Sequence, residues 1–322
     1  MAIIGANHGH TRFYLGALAG DTRVRSVSLS GPTDHVSKYV DHDKVGPVFA
    51  HPRDMLDATE PDLVFVLGRH CDMAESATLA LEKGVPIVLE KPGGMTSAEV
   101  AGIRARASER AIPVLVPFVQ RSGPLPSLFD AVGELKHAHL EFLAGPASRY
   151  QDSGNSWLLD RAAAGGGVLL NLGVHFIDMV LWKAAGEMAL AEVSGYLTRT
   201  DPTIEVEDFA SVTMTTASGA IAGVDCSYTY PRTPGRHVGY VLRGDDGFVS
   251  VDSTGHGLLT TPAGVVPFEI DVDSDSYYRL WVTTLLDGFD TGFPEIATIS
   301  DLVAVRDVTD RVMSNSSQEL CS

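Results

Sequence analysis

The chain has 322 residues, of which 44% are hydrophobic and 20% are charged, as is typical of globular proteins and not of disordered or fibrous ones. Its 41 acidic residues outnumber its 24 lysines and arginines, and the formal net charge is −17. Such a charge repels phosphodiester backbones and anionic membranes, so we expect neither a nucleic acid nor a membrane as partner.

The cysteines and the N-terminus exclude further classes. Cys71, Cys226 and Cys321 are far apart and form no Cys-x-x-Cys pair, which argues against a disulfide framework and a zinc site. The first strand begins almost at Met1, without the charged and apolar regions of a signal peptide, and no apolar run is expected to span a membrane. These features predict a cytoplasmic protein.

Residues 2–10 are predicted to form a strand and a glycine turn that lead into a helix. Such a turn can present backbone N–H groups to a pyrophosphate. The dinucleotide fingerprint would place glycines where Gly5, Asn7 and His10 stand, so only Gly5 fits. Because asparagine tolerates left-handed dihedral angles, we still assign Gly5, Asn7 and His8 to a cofactor site.

The second predicted strand, residues 24–29, ends at Ser30 and Gly31. Enzymes that prefer NAD usually have an acidic residue here, which binds the ribose hydroxyls. The small Ser30 and Gly31 leave room for a 2′-phosphate, and Lys38 in the next helix is predicted to reach it. The sequence therefore favours NADP over NAD.

Strands and helices alternate up to residue 118, which predicts a doubly wound parallel sheet. After the first two strands, the predicted elements are a short helix that starts at 54–56, a strand at 63–67, a helix at 74–83, a strand at 87–89, a helix at 97–108 and a strand at 113–118. A stretch rich in proline and glycine, residues 120–126, then suggests a domain boundary. We predict a dinucleotide-binding Rossmann domain over residues 1–120 and an α/β substrate and oligomerisation domain over residues 121–322.

The second domain shows the period of 2 that is typical of half-buried strands. Strands are predicted at 135–142, 192–198, 211–215, 220–228, 238–243, 248–252 and 265–272, followed by helices at 276–289 and 299–313 and a frayed tail from 315. This pattern predicts a large, mainly antiparallel open sheet. Because the exposed face of such a sheet is normally covered, we expect a homodimer or homotetramer.

The apolar strand at 87–89 is followed directly by Glu90-Lys91-Pro92. Open α/β sheets bind ligands at this end of their strands. Burial lowers the pKa of a lysine ammonium group and suits it to proton transfer near neutral pH, so Lys91 is a candidate acid/base and, with Glu90, a candidate cofactor contact. The alternative is a Glu–Lys pair in a surface loop.

Residues 168–182 are apolar nearly all round and predict a buried helix. Asn171, His175 and Asp178 stand at i, i+4 and i+7 and are predicted to form one stripe. Facing a cavity, they would bind substrate or relay protons, with His175 titrating between pH 5 and 8. The alternative is a core network in which His175 bonds to Asp178.

Other side chains are less informative. Trp157 is predicted either to stack on a sugar face or to pack in the core. His8 and His10, like His137 and His139, are two residues apart but lack accompanying carboxylate or thiolate spacing, so we interpret them as turn or surface residues and expect no metal site.

Three features together resemble the glucose-fructose oxidoreductase, inositol dehydrogenase and MocA-like family: the glycine turn, Glu90-Lys91-Pro92, and the Gly-Gly-Gly-x-x-x-Asn-x-Gly-x-His-x-x-Asp run over residues 165–178. The resemblance implies a Rossmann domain followed by an α/β domain with a large open sheet. It also implies that Lys91 and His175 work beside the nicotinamide, moving a proton while hydride passes to or from a sugar-like carbinol.

The chain also departs from the family pattern. Asn171 stands where aspartate is frequent, and Gly68 and Arg69 replace a Thr-Pro pair. Gly68 and Arg69 are predicted cofactor contacts, although Arg69 could instead pair with Asp72.

We therefore expect an NAD(P)-dependent oxidoreductase of a sugar, cyclitol or sugar-bearing metabolite. Lys91 would act as the acid/base, His175 as its partner and Asn171 as an orienting residue. The alternatives are a redox-neutral reaction in which the cofactor is recycled, and a nucleotide-sensing or scaffold protein that has lost catalysis.

Overall fold

The computed structural model describes residues 1–185, 190–230 and 235–319. Its first sheet has six parallel strands in the order β3-β2-β1-β4-β5-β6. The strands are β1 (Ala2–Ile4), β2 (Val27–Ser30), β3 (Val45–Phe49), β4 (Val64–Val66), β5 (Ile87–Leu89) and β6 (Val114–Leu115). Because β1, β4 and β5 are apolar and buried on both faces, they read as continuous hydrophobic runs in the sequence.

Four helices cover the two faces of this sheet: α1 (Thr11–Gly20), α2 (Pro52–Thr59), α3 (His70–Glu82) and α4 (Ser97–Glu109). The predicted doubly wound fold is confirmed. The sequence did not predict β3, which contains Gly46 and Pro47 and is only partly buried. The helix expected around Lys38 is a short 3₁₀ turn, Asp34–Tyr39.

The second sheet has eight strands in the order β14-β13-β12-β11-β7-β10-β9-β8. They are β7 (Leu135–Leu143), β8 (Leu190–Thr198), β9 (Phe209–Thr216), β10 (Ile221–Ser227), β11 (His237–Gly244), β12 (Phe248–Val251), β13 (His256–Thr261) and β14 (Gly264–Glu269). Only β7 and β10 pair in parallel among these strands. The predicted large, mainly antiparallel sheet is therefore confirmed, although β13 was not foreseen.

Six further helices accompany this sheet: α5 (Leu125–Ala131), α6 (Ser148–Asp152), α7 (Arg161–Ala164), α8 (Val174–Val180), α9 (Tyr277–Asp287) and α10 (Ile299–Glu319). Late in the chain, α9 returns to the first sheet, where Tyr278 and Trp281 share a core with Ile3 and Tyr14. The frayed tail predicted from residue 315 is wrong as far as Glu319, because α10 continues to that residue; residues 320–322 lie outside the described part of the chain.

Before and after α8, the same helix makes two π-helical turns, Leu169–Gly173 and Leu181–Ala185. The segment Arg161–Lys183 is long and apolar enough to cross a membrane by length and composition, which the sequence analysis had not expected. In the fold, however, 89% of its most apolar window is buried. Its hydrophobicity is therefore explained by its position as the central core helix.

Candidate active site

A cleft of about 1640 Å³ opens at the carboxyl ends of β1, β2 and β4. These strands flank the point where the strand order reverses, which is where open α/β sheets bind nucleotides. The predicted cofactor residues that line the cleft are Gly5, Asn7, Ser30, Gly31, Gly68 and Arg69. The fold thus brings together residues that lie up to 64 positions apart in the sequence.

The backbone of this cleft leaves space for a ligand. Gly5 has φ +83°, and a Cβ there would lie 2.5 Å from the Leu67 carbonyl oxygen, so only glycine fits the turn. Gly68 has φ +125° with open space beside it. The Ser30 hydroxyl is buried and has no hydrogen-bond partner among the described residues, and a buried hydroxyl normally has one. These residues fit a dinucleotide.

Two basic side chains assigned from the sequence have other partners. Lys38 does not line the cleft; its ammonium group lies 4.8 Å from the centre of the Tyr39 ring. Arg69 lines the cleft but also makes two hydrogen bonds to Asp72, of 2.8 and 3.1 Å. Arg53, which the sequence analysis missed, is an exposed arginine on the cleft wall, and its nearest ion-pair contact, to Glu82, is as long as 4.0 Å.

A second cavity contains the predicted catalytic groups Lys91, Asn171 and His175. Lys91 is 4% exposed, and its ammonium group donates to the Asn171 carbonyl oxygen at 2.7 Å and to the side-chain oxygen at 3.1 Å. Burial lowers the pKa of Lys91, while the nearby Glu90 carboxylate raises it. A lysine held in this way is suited to exchange a proton near neutral pH.

Glu90 is 1% exposed, so the alternative of a surface Glu–Lys pair is wrong. One of its oxygens, Oε1, receives hydrogen bonds from His10 at 2.7 Å and Tyr14 at 2.9 Å. Burial by itself would raise the pKa of Glu90, but His10, Lys91 and His8 together lower it well below its usual value. The side chain is therefore a carboxylate, and its other oxygen, Oε2, has no partner among the described residues.

Asn171 is fixed by two tyrosines that the sequence did not single out. Its amide nitrogen donates to the hydroxyls of Tyr150 at 3.1 Å and Tyr228 at 2.9 Å. This orientation leaves the amide oxygen pointing at Lys91. Nothing in the spacing of Tyr150 and Tyr228 connects them to Asn171, because α6 and β10 meet the helix only in the folded chain.

His175 is buried beside Lys91, and burial followed by the charge of Lys91 holds the pKa of its imidazole well below the usual range. This direction runs against the expectation that His175 titrates between pH 5 and 8 in the free protein. Its Nδ1 has no hydrogen-bond partner among the described residues. A neutral imidazole in the cavity can still hydrogen-bond a reacting oxygen.

Asp178 does not share the cavity with Asn171 and His175. Its two oxygens accept hydrogen bonds of 2.9 and 2.6 Å from Arg121, which also donates to Asp301 at 2.8 Å. The stripe assumed α-helical spacing, but the π-helical turn at Leu169–Gly173 changes the angular relation of residues on either side. Burial raises the pKa of Asp178 to about 6, while Arg121 opposes this rise.

The lining of the cavity bears on the predictions for His8, His10 and Trp157. His8 and His10 lie in the turn before α1, as one of the two interpretations had it, but His8 is only 7% exposed and both side chains line the cavity, so the surface alternative is wrong. Burial, followed by the charge of His10, holds the pKa of His8 well below the usual range. Trp157 does not line the cavity but packs against His8 and His70, with ring centres 5.9 and 5.0 Å apart.

On the outer face of the second sheet, His139 does have carboxylate neighbours, contrary to the sequence analysis. Its Nε2 lies 3.5 Å from oxygens of both Glu141 and Asp225. Glu141 follows two residues later on the same strand face, and Asp225 stands opposite Glu141 on β10. The three residues could hold a metal ion by proximity, but His139 and Glu141 alternate along β7 with Leu140 and Phe142 and so lie on the face opposite to Phe142, which lines the cavity.

Comparisons with known proteins identify the family of the chain. The model of the family described as "Oxidoreductase family, NAD-binding Rossmann fold" matches residues 1–118, and that of the "GFO/IDH/MocA C-terminal domain" matches residues 130–250. A chain assigned as the oxidoreductase subunit of a UDP-kanosamine synthase from Amycolatopsis mediterranei (strain S699) is 31% identical over 144 residues, 44% of this chain. The match covers only 39% of that relative's length.

Solved structures share the fold over nearly the whole chain. An oxidoreductase from Agrobacterium radiobacter in complex with NAD⁺, L-tartaric acid and magnesium has a TM-score of 0.81 at 16% identity, covering 98% of this chain and 95% of that one. An oxidoreductase domain protein from Kribbella flavida has a TM-score of 0.81 at 20% identity, and the match covers 99% of this chain and 97% of that one. Levoglucosan dehydrogenase in complex with NADH and levoglucosan has a TM-score of 0.81 at 17% identity, and the match covers 99% of this chain and 96% of that one.

At these identities the structures establish the fold alone, whereas the two family models cover both halves of the chain and confirm the resemblance drawn from the motifs. The chain belongs to the GFO/IDH/MocA family of oxidoreductases, with an NAD-binding Rossmann fold at its N-terminus.

Proposed function

We propose that this protein is an NAD(P)-dependent dehydrogenase that moves hydride between the nicotinamide and a carbinol or ketone carbon of a sugar, cyclitol or sugar-bearing metabolite. The observation that carries the proposal is the buried ammonium group of Lys91, held at 2.7 Å by the Asn171 carbonyl oxygen in a cavity that also contains His175. A nucleotide-sensing or scaffold protein would have no use for such a lysine.

Each of the three cavity residues would have its own role in the reaction. During oxidation, the deprotonated amine of Lys91 accepts the proton of the substrate hydroxyl, and the neutral ring of His175 hydrogen-bonds the same oxygen. Asn171 keeps the Lys91 amine in place and is itself held by its two tyrosines. When bound, the nicotinamide ring supplies the hydride chemistry.

We also propose that NADP(H) binds more tightly than NAD(H). The cleft has Ser30 and Gly31 where an acidic residue would bind the ribose hydroxyls. The cation proposed for the 2′-phosphate is now Arg53, which lines the same cleft, and not Lys38. Calorimetric titration of the purified protein with both cofactors tests this, and a lower dissociation constant for NAD(H) would contradict it.

The polar side chains that line the cavity favour a substrate rich in hydroxyl groups. Besides the proposed catalytic residues, the lining includes the polar side chains of Gln120, Arg149, Tyr150, Arg236 and Tyr278. Polar groups of this kind can fix the orientation of a small ligand by hydrogen bonds. Two similar proteins, levoglucosan dehydrogenase and the oxidoreductase subunit of a UDP-kanosamine synthase, are also named for sugars.

The experiment is an incubation of the protein with NADP⁺ or NAD⁺ and a panel of levoglucosan, myo-inositol and UDP-N-acetylglucosamine. We expect at least one member to produce reduced cofactor and the corresponding ketone. A substrate that is converted while the cofactor ratio stays constant would instead favour the redox-neutral alternative, and tight cofactor binding without any conversion would favour the sensing alternative.

We further propose a homodimer or homotetramer in the cytoplasm. The second sheet exposes large hydrophobic side chains, among them Tyr196 at 65% and Ile221 at 47%, and exposed apolar patches commonly mark interfaces. Cys71 and Cys226 are free thiols, in keeping with a reducing compartment. Light scattering of the purified protein tests the assembly, and a monomeric mass at micromolar concentration would contradict it.

A further inference from the structure

His10 occupies the place where the dinucleotide fingerprint has its third glycine, and one nitrogen of its ring contacts two side chains. Its Nδ1 lies 2.7 Å from Oε1 of Glu90 and 2.9 Å from the hydroxyl of Tyr278. Glu90 follows β5 and Tyr278 belongs to α9, so two distant parts of the chain meet at this ring. A glycine at this position could make neither contact.

The charge of Glu90 decides which ring nitrogen carries the proton. Because the carboxylate is ionised and can only accept hydrogen bonds, the short contact requires a proton on Nδ1 of His10. In the neutral ring, Nε2 is then the basic nitrogen, and it has no hydrogen-bond partner among the described residues. The arrangement is that of a carboxylate which orients an imidazole for proton transfer.

The position of His10 complements that of Lys91. Both residues line the same cavity, but Lys91 is 4% exposed whereas the His10 side chain is 28% exposed. A proton taken up by Lys91 during oxidation has to leave the cavity before the next turnover. With so little of Lys91 exposed, the more exposed His10 in the same cavity offers a route by which this proton can reach the solvent.

We propose that His10, oriented by Glu90, is a second proton-transfer residue of this site and forms the proton exit of the dehydrogenase. The inference rests on the proposed function. The Lys91 ammonium gives its proton, through a water molecule or a substrate hydroxyl in the cavity, to Nε2 of His10. The resulting imidazolium is neutralised by Glu90 and releases the proton to solvent, which restores the neutral forms of Lys91 and His10.

Charged and titratable groups face His10 from each neighbouring element. They are His8 in the turn before α1, Tyr14 on α1, Glu90 after β5 and Tyr278 on α9. His8 is held neutral by burial, and burial raises the pKa of both tyrosines well above the usual value. Glu90 is therefore the only one of these four groups that carries a charge near neutral pH.

The dyad can be tested without any substrate. Nitrogen NMR of the protein labelled with ¹⁵N-histidine shows which ring nitrogen is protonated, and loss of a signal in His10→Gln assigns it. We expect the proton of neutral His10 on Nδ1, and a change toward the Nε2–H form in Glu90→Gln. A wild-type ring that is protonated on Nε2 would overturn the proposal, whatever the enzyme oxidises.

The kinetic test uses His10→Gln with whichever member of the sugar panel the wild type oxidises. We expect kcat to fall by about 10²-fold, at the lower end of acid/base effects, and to recover when free imidazole replaces the missing proton carrier. His35→Gln is the matched control, because His35 lines the same cavity without a carboxylate partner among the described residues. Its kcat should not respond to imidazole.

Other outcomes would overturn the inference. If His10→Gln raises the dissociation constant of the cofactor and imidazole restores nothing, His10 is a cofactor contact. If kcat is unchanged, protons leave by another route. If the wild type oxidises no member of the panel, the proposed function fails first, and the NMR result still decides whether the Glu90–His10 dyad exists.

Discussion

Replacing Lys91 with methionine removes the proposed general base but keeps most of its volume. Loss of such a group typically reduces the rate by about 10² to 10⁴-fold, which corresponds to about 3 to 5 kcal/mol of transition-state stabilisation. Since Lys91 lines the second cavity and not the nucleotide cleft, we expect kcat to fall while the dissociation constant of the cofactor changes little.

The same substitution should have a small effect on stability, because two effects oppose each other. The Asn171 carbonyl and side-chain oxygens lose their donor, at 2.7 and 3.1 Å, which costs about 1 to 3 kcal/mol when the acceptors are buried. In return, a charged amine no longer has to be buried, and that desolvation costs several kcal/mol in proteins. We therefore expect the free energy of unfolding to change by less than about 2 kcal/mol.

The assay combines initial rates of cofactor reduction, calorimetric titration of the cofactor and urea unfolding. Lys83→Met is the matched control, because Lys83 lies on the surface in an ion pair with Asp57 of 2.6 Å and is remote from the cavity. Its turnover should equal that of the wild type. A turnover number of Lys91→Met within about threefold of that of Lys83→Met would refute the acid/base role, since the expected loss is at least about 10²-fold.

Three further predictions concern other parts of the site. Asn171→Asp should place a carboxylate beside Lys91, raise the pKa of the amine and move the pH at which kcat/KM for oxidation rises to higher values, as a pH–rate series can show. Arg121→Met should lower the free energy of unfolding by about 3 to 5 kcal/mol at pH 8 by leaving Asp178 as an unpaired buried charge. The pKa of Asp178 is about 6 with Arg121 in place, and removing this cation raises it further, so urea unfolding should show a smaller loss at pH 5, where the carboxyl is neutral. Ser30→Asp should weaken NADP(H) at least tenfold relative to NAD(H) in calorimetric titration, because the new carboxylate repels the 2′-phosphate and binds ribose hydroxyls, and an unchanged ratio would contradict the assignment of this position.

The fold could be predicted from the sequence because the spacing of hydrophobic residues differs between the strands of the two sheets. Strands such as β4 and β5, buried on both faces, appear as short apolar runs, whereas β9 alternates because one face meets the helices. The elements that were missed lack these signals. β3 contains a glycine and a proline, and β13 has a glycine and polar side chains at only three of its six positions, without a regular alternation, so their pairing partners and not their own sequences determine them.

The site could be predicted from the sequence only where a motif determines the path of the backbone. Lys91 and Asn171 meet because a strand end and a buried helix both reach the cavity. Asp178 could not be placed, since the π-helical turn before it is not encoded in any residue spacing that we recognise. The titration of His175 was misjudged for a related reason, because the burial that lowers its pKa depends on packing by the whole fold.

The most direct test of the proposed function is a crystal structure of the protein with NADP(H) and an oxidisable member of the sugar panel. We predict that the nicotinamide C4 and the reacting carbon lie within about 3.5 Å of each other, with the substrate oxygen in hydrogen-bonding reach of Lys91 and His175. A complex in which the nicotinamide ring lies outside the cavity that contains Lys91, Asn171 and His175 would contradict it.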